Sequence, residues 1–278
     1  MRTDLKDVVR RAILRTIHKS GIRQSDRKIA EEAQAYWGNT DQNNFRSNSH
    51  WRGDLGLSDE VWLELGKPHV CLLRNHLKIA GLKQPLRRIV EWGCGGGANA
   101  IHFAKEAHEY VGVDVSDASL AECQRNLNEV GYENFVPVLI EVAQPEDAVD
   151  AIHEACDLFL CTYVFELIPS PEYGQRLLKI AHHLLHPGGL AIIQIKYETH
   201  ESHTRTRRWG YRSNIANMTT YPIEVFWQLT EEVGFKPQSV SLRPKDDLVH
   251  DERYAYFVLE KPKVRGPTTA CELSEDCQ

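Results

Sequence analysis

Two acids and a run of glycines are the part of this sequence best equipped for chemistry. The stretch Ile89-Val90-Glu91-Trp92-Gly93-Cys94-Gly95-Gly96-Gly97-Ala98 ends a short apolar run in a glycine turn and then opens an amphipathic segment. Residues without a Cβ let the backbone pass close to a ligand, and the free N–H groups of a helix start can meet a polar or negative group. Asp114 follows in Val111-Gly112-Val113-Asp114, at the end of a second apolar run about twenty residues on, where an acid that accepts from ribose hydroxyls is expected. Together they imply a βαβ unit around a nucleotide-type cofactor. Glu91 stands two residues before the first glycine, at the end of a strand that reads as buried. A bare carboxylate there is costly unless a cationic or hydrogen-bonding group offsets it, and a cofactor with a positive amine supplies one. Gly93, Gly95 and Ala98 also fit the dinucleotide fingerprint, so a nicotinamide-dependent oxidoreductase stands as an alternative.

Glu91-Trp92-Gly93-Cys94-Gly95-Gly96-Gly97 resembles motif I of the class I S-adenosylmethionine (SAM) dependent methyltransferases, and His186-Pro187-Gly188-Gly189-Leu190 is similar to the turn before the fifth strand of that family. The resemblance covers residues 87–260. It implies SAM as the cofactor, with Gly93, Cys94 and Gly95 along its methionine portion and Glu91 receiving its amine directly or through water. It further implies that Asp114 takes the ribose, with Val115 next to it, that Glu141 and Val142 meet the adenine amine and ring, and that Thr162 completes the cofactor side. Cys161-Thr162-Tyr163-Val164-Phe165-Glu166-Leu167-Ile168-Pro169 becomes the wall facing the reacting methyl group and resembles the small-molecule branch of the family. Leu167 stands where that branch often has histidine, and no Asn-Pro-Pro-Tyr type sequence is present. Both departures point to a hydroxyl or carboxylate oxygen as acceptor. N-methylation of a small molecule and a non-catalytic SAM-binding role are the alternatives.

Methyl transfer from a sulfonium needs in-line approach, a dry pocket and, for an alcohol, a group to take the proton. Candidate bases are Glu166, His50 in a lid-like loop, and His200 and His203 after the fifth strand, histidine being the side chain most easily poised near neutral pH. Tyr163 is a candidate for acceptor contact. So are Arg205, Arg208, Trp209 and Arg212, in a segment that also holds Arg207 and Tyr211. Arginine forks bind carboxylate or phosphate in bidentate fashion, so this segment predicts an anionic or polyhydroxylated acceptor.

The elements that must position these residues follow from periodicity. Apolar residues at helical spacing predict helices over 4–18 and 26–37, a polar loop over 38–56, and a helix from the Ser58 N-cap to Gly81. Strands are expected at 88–91, 110–113, 135–142, 157–161 and 190–195, separated by helices at about 98–107, 116–131, 146–154 and 171–185. A polar insert over 197–221, a helix over 222–233 and a strand pair at 238–242 and 254–260 complete the pattern. Apolar strands alternating with amphipathic helices give a parallel sheet covered on both faces. The expectation is an α/β chain with a Rossmann-like core, a mainly parallel seven-stranded sheet with an antiparallel edge strand, and a helical N-terminal cap. By segment, 1–81 is the cap and lid-like loop, 82–262 the core with its substrate-cap insert, and 263–278 a mobile tail.

Composition narrows the class. A chain of 278 residues with 42% hydrophobic content can bury one large core or a core plus a cap. The balance of 33 basic against 39 acidic residues, net −6, disfavours long contact with a phosphate backbone, so no nucleic-acid partner is expected. Cysteines at 71, 94, 123, 156, 161, 271 and 277 form no CxxC pair, which suggests neither zinc nor a disulfide framework. With no signal-like start and no membrane-length apolar run, the expected setting is cytoplasmic, without membrane, as a monomer or homo-oligomer acting on a small molecule.

Overall fold

The structure is a computed structural model that describes residues 23–42, 44–81, 84–245 and 251–263. The helix expected over 4–18 and nearly all of the tail lie outside the described residues. Seven strands form one sheet: β1 (Leu86–Trp92), β2 (Ala107–Asp114), β3 (Phe135–Leu139), β4 (Cys156–Cys161), β5 (Leu185–Lys196), β6 (Lys236–Leu242) and β7 (Tyr254–Glu260). Their spatial order is β3-β2-β1-β4-β5-β7-β6. The first five pair in parallel, and β7 runs antiparallel to both β5 and β6. The antiparallel strand thus sits one place in from the edge, with β6 outermost. Every residue of β4 is buried, as expected where helices cover both faces of a parallel sheet. Each fully buried side chain of the size of Phe159 or Ile192 contributes about 1.5–3 kcal/mol.

The chain order places a switch point beside β1. From it the strands step outward to β2 and β3 on one side and to β4 and β5 on the other, and the crevice outside the carboxyl ends of such strands is where ligands bind. Three elements differ from the periodicity. The helix expected over 98–107 is a single α turn, Ala100–Phe103, followed by a 3₁₀ turn, because β2 already begins at Ala107. β3 stops at Leu139, so residues 140–142 leave the sheet and turn towards the crevice. β5 begins at Leu185 and absorbs the Pro-Gly-Gly turn as an irregularity, with Cys156 paired to Leu185 and Leu158 to Leu190.

The N-terminal segment supplies a cap. Helix α1 (Asp26–Trp37) starts at Ser25, whose hydroxyl accepts from Lys28 N–H, and buries Ile29, Ala30, Ala33 and Tyr36. The expected loop contains a short helical turn, Phe45–Asn48, and helices Asp59–Leu65 and Lys67–Ala80 follow, broken at Gly66. The insert after β5 is anchored at several points. Gln24 N–H donates to Arg208 O at 2.8 Å, Gly210 N–H to Gln24 Oε1 at 2.8 Å, and Tyr211 N–H to Glu32 Oε2 at 3.2 Å. Cap and insert therefore meet over the crevice.

Candidate active site

A cavity opens at the carboxyl ends of β1 to β4, the place where an open α/β sheet of this order binds its ligands. Its floor begins with the glycine turn. Gly93 and Gly95 have φ of 73° and 50°, a left-handed geometry that favours glycine. Gly93 N–H donates to Val113 O at 2.7 Å, which holds the turn against the end of β2. Asp114 completes this corner: its Oδ2 accepts from Gly95 N–H at 3.0 Å and its Oδ1 from Ser116 N–H at 2.9 Å. Burial raises its carboxyl to about 6 against the pull of those N–H groups. Val115, Ile140 and Val142 continue the wall, and Thr162 closes it from the end of β4.

The lid lies directly on the glycines. Gly96 N–H donates to Ser49 O at 2.7 Å. A Cβ at Gly95 would stand 2.4 Å from Ser49 O, and one at Gly96 2.7 Å from Trp51 Cα. These glycines are needed for the close approach of the chain's own lid segment. Trp62 Nε1 fixes that segment from behind by donating to His50 O at 2.9 Å. The Ser49 hydroxyl is buried on the cavity wall and has no hydrogen-bond partner among the described residues.

Glu91 lies beneath the turn and is not among the residues lining the cavity. Tyr110 OH donates to its Oε2 at 2.7 Å and Asn99 Nδ2 to its Oε1 at 3.0 Å. The expected need for an offsetting donor is thus met by the protein itself. Burial still dominates and raises the carboxyl to about 8. Asn99 also donates to Thr162 Oγ1 at 2.8 Å and accepts from His69 Nδ1 at 2.8 Å, while His69 Nε2 lies 2.8 Å from Tyr256 OH. One amide therefore ties the end of β1 to the end of β4. Cys94 likewise turns inward, packed in the core with Cys123, and its thiol is pushed well up by its neighbour and by burial.

The far end of the cavity is walled by rings and aliphatic groups. Trp37 comes from α1, Tyr163 and Val164 from the turn after β4, Leu167, Ile168 and Pro169 from the following segment, and Tyr173 and Tyr211 from two later helices. Tyr163 has φ of 59°, an uncommon conformation for a residue with a side chain. Its ring meets His50 edge-on at 4.9 Å between centroids. His50 lines the cavity, and burial together with His69 lowers its imidazole to about 4. Asn48 and Ser49 add polar atoms from the lid. Among the described residues no Lys or Arg lines this cavity.

The cavity brings together Gly93, Gly95, Asp114, Val115, Val142, Thr162, Tyr163 and His50 of the expected residues. Others stand elsewhere. Glu141 is exposed just outside the wall. Glu166 turns back into the protein, where its backbone oxygen accepts from Met218 and Thr219 N–H. Its Oε2 has no partner among the described residues, and burial raises the carboxyl to about 7. His200 and His203 are exposed, with His203 Nδ1 3.0 Å from Glu201 Oε2. Arg205 and Arg212 are exposed, Arg208 pairs with Glu172 at 3.3 Å, and Trp209 lies outside the lining. Arg205 and Arg212 thus lie at the surface and Arg207 and Arg208 are partly buried outside the lining, while the insert folds inward through Tyr211 and Met218. Trp37, Ile140, Tyr173 and Tyr211 were missed as site residues. Their aromatic or apolar type at helix or strand spacing reads as core, and only convergence in space distinguishes them.

The corner formed by Gly93, Gly95, Asp114 and Thr162 fits a nucleoside with an amino-acid arm. It offers a carboxylate for hydroxyls, a turn without side chains, and the unpartnered hydroxyl of Ser49. Among the described residues no helix is long and apolar enough to cross a membrane. A sequence profile described as a methyltransferase domain matches residues 67–240. The ubiquinone biosynthesis O-methyltransferase of Chromobacterium violaceum is 27% identical over 126 residues, 45% of this chain and 49% of that protein. Thiocyanate methyltransferase 1 of Arabidopsis thaliana is 26% identical over 165 residues, 58% of this chain and 63% of that one. The chain thus spans about half the length of the curated relatives it matches first. Among solved structures, magnesium protoporphyrin IX methyltransferase from Synechocystis PCC 6803 with bound S-adenosylhomocysteine (SAH) aligns with a TM-score of 0.59, at 16% identity over 83% of this chain and 99% of that one. The N-methyltransferase NodS from Bradyrhizobium japonicum WM9, also with SAH, aligns at 0.55 with 12% identity over 84% and 99%. At those identities the likeness is one of fold.

Proposed function

The chain belongs to the methyltransferase-domain family, and from that premise we propose that it is a SAM-dependent enzyme that methylates an oxygen on an uncharged, ring-bearing small molecule. The carrying observation is the cavity, whose one end offers Asp114 and the glycine turn while the other is walled by Trp37, Tyr163, Tyr173 and Tyr211, with no Lys or Arg lining it among the described residues. Aromatic walls favour flat acceptors through offset and edge-to-face contacts. An anion there loses hydration that no cationic side chain among the described lining residues offsets. The relatives named ubiquinone biosynthesis O-methyltransferases lend support to oxygen as the acceptor atom.

SAM supplies an electrophilic methyl group on a sulfonium. The chain supplies the rest. Asp114 presents acceptor oxygens to ribose hydroxyls, and the bare backbone at Gly93 and Gly95 admits the amino-acid arm. The ring-lined end orients the acceptor and excludes water, which contributes much of the rate when two reactants must meet in line. In this reading His50, neutral at any pH well above about 4, accepts a hydrogen bond from the acceptor hydroxyl and orients it.

The test is SAH release from the purified chain with SAM and a panel of phenols, benzylic alcohols, aromatic carboxylates and anilines. Phenols or benzylic alcohols should turn over, and His50→Ala should slow that turnover by at least about tenfold. Turnover confined to carboxylates would refute the uncharged acceptor, and turnover confined to anilines would refute oxygen.

A further inference from the structure

Gln34 is half-buried on α1, beside Ala33 and one turn before Trp37, both of which line the cavity. Its side-chain amide reaches across to the ends of two strands at once. Val142 N–H donates to Gln34 Oε1 at 2.7 Å, and Gln34 Nε2 donates to Val115 O at 3.4 Å, a longer contact. The orientation of the amide follows from chemistry, since a backbone N–H can only give a hydrogen bond and a carbonyl only accept one. Val142 and Val115 themselves line the cavity next to Asp114.

An amide presents an acceptor and a donor side by side, and adenine does the same with a ring nitrogen and its exocyclic amine. The geometry points to Gln34 as a stand-in for the adenine edge of the methyl donor. It satisfies Val142 N–H and Val115 C=O until the nucleobase takes them, and a purine with the reversed order, such as hypoxanthine with N1–H and O6, is rejected by the same pair. The inference rests on the reading that Asp114 holds the ribose and adds a specificity determinant to it. It also has a mechanical consequence. Gln34 and Trp37 share a helix face at i, i+3 spacing, so release of Gln34 frees the helix that carries a wall of the acceptor end.

Calorimetric titration of the full chain with SAH and with S-inosylhomocysteine tests this. Gln34→Ala should tighten SAH binding by roughly 3- to 10-fold, the value of a displaced hydrogen bond that no longer competes. Alanine is the better helix former, so the variant should fold. Wild type should bind the inosine analogue at least about tenfold more weakly than SAH, the cost of mismatched polar groups. Hydrogen exchange over residues 26–37 should speed up in wild type when SAH is added and should not change further in the variant. If Gln34→Ala weakens SAH binding or leaves it unchanged, the stand-in role is overturned. If SAH fails to bind wild type, or binds Asp114→Asn equally well, the underlying cofactor reading falls first, and the two failures are thereby distinguished.

Discussion

The indole nitrogen of Trp37 donates to the hydroxyl of Tyr211 across 2.7 Å, joining the N-terminal helix to the insert after β5 over the acceptor end of the cavity. Tyr211→Phe keeps the ring and removes the acceptor, leaving a partly buried N–H without this partner. The expected loss is about 1–3 kcal/mol of unfolding free energy in urea titration. KM for the acceptor should rise while SAH affinity stays put. A parallel fall in SAH affinity would mean that this clasp supports the whole cavity.

Asp114 sets a pH dependence for cofactor binding. In the proposed function ribose hydroxyls donate to the ionised carboxylate, whose titration burial raises to about 6. SAH affinity should therefore be flat above neutrality and fall as pH drops through about 6. Asp114→Asn should bind about 10- to 100-fold more weakly at neutral pH and lack that dependence. Calorimetry at two pH values on each side checks both.

Glu91 sets a pH dependence for stability with the opposite sense. Its folded-state titration lies at about 8, raised from 4.5, so between those values the unfolded chain gives up a proton that the folded chain keeps. Stability should decline as pH rises through that window and level off above it. Glu91→Gln retains partners in Tyr110 and Asn99 and should show a shallower decline, with Asp114 and Glu166 as the raised carboxyls that remain. Denaturant midpoints for both proteins across the window decide it, and coincident curves would show that the carboxylate is ionised in the fold.

Gly95→Ala places a methyl group 2.4 Å from Ser49 O at a backbone φ of 50°. Lid and turn must part, breaking the bond from Gly96 N–H to Ser49 O. SAH affinity should fall by at least about tenfold, with faster proteolysis within the lid segment. Normal affinity would show that the lid moves without cost.

The arginine surface offers a control. Arg205→Ala and Arg212→Ala alter exposed side chains outside the cavity lining and should leave both SAH binding and methyl transfer unchanged. A selective rise in acceptor KM would restore the insert as an anion clamp.

The glycine turn and the acid beside it were legible in the sequence because their demands are local. A turn that needs positive φ asks for glycine at Gly93 and Gly95, and an acid one βα unit later asks for Asp114. The sheet was legible for the same reason, since alternating apolar strands and amphipathic helices leave few arrangements. Glu91 was half legible: its burial and need for donors followed from position, but the donors came from Asn99 and Tyr110, which sequence spacing does not bring together. The acceptor end was opaque. Trp37, Tyr173 and Tyr211 converge from three distant segments, and charge in the insert drew attention to arginines that stand outside the cavity lining.

The contact between Ser49 and the glycine turn carries a practical corollary for anyone who would recut this enzyme. Shortening or grafting residues 49–51 to admit a bulkier guest removes part of the scaffold that shapes the donor's own berth. Selectivity and donor affinity should consequently drift together across such a series, and libraries that spare this seam while varying Tyr173 and Leu167 are the ones that can separate them.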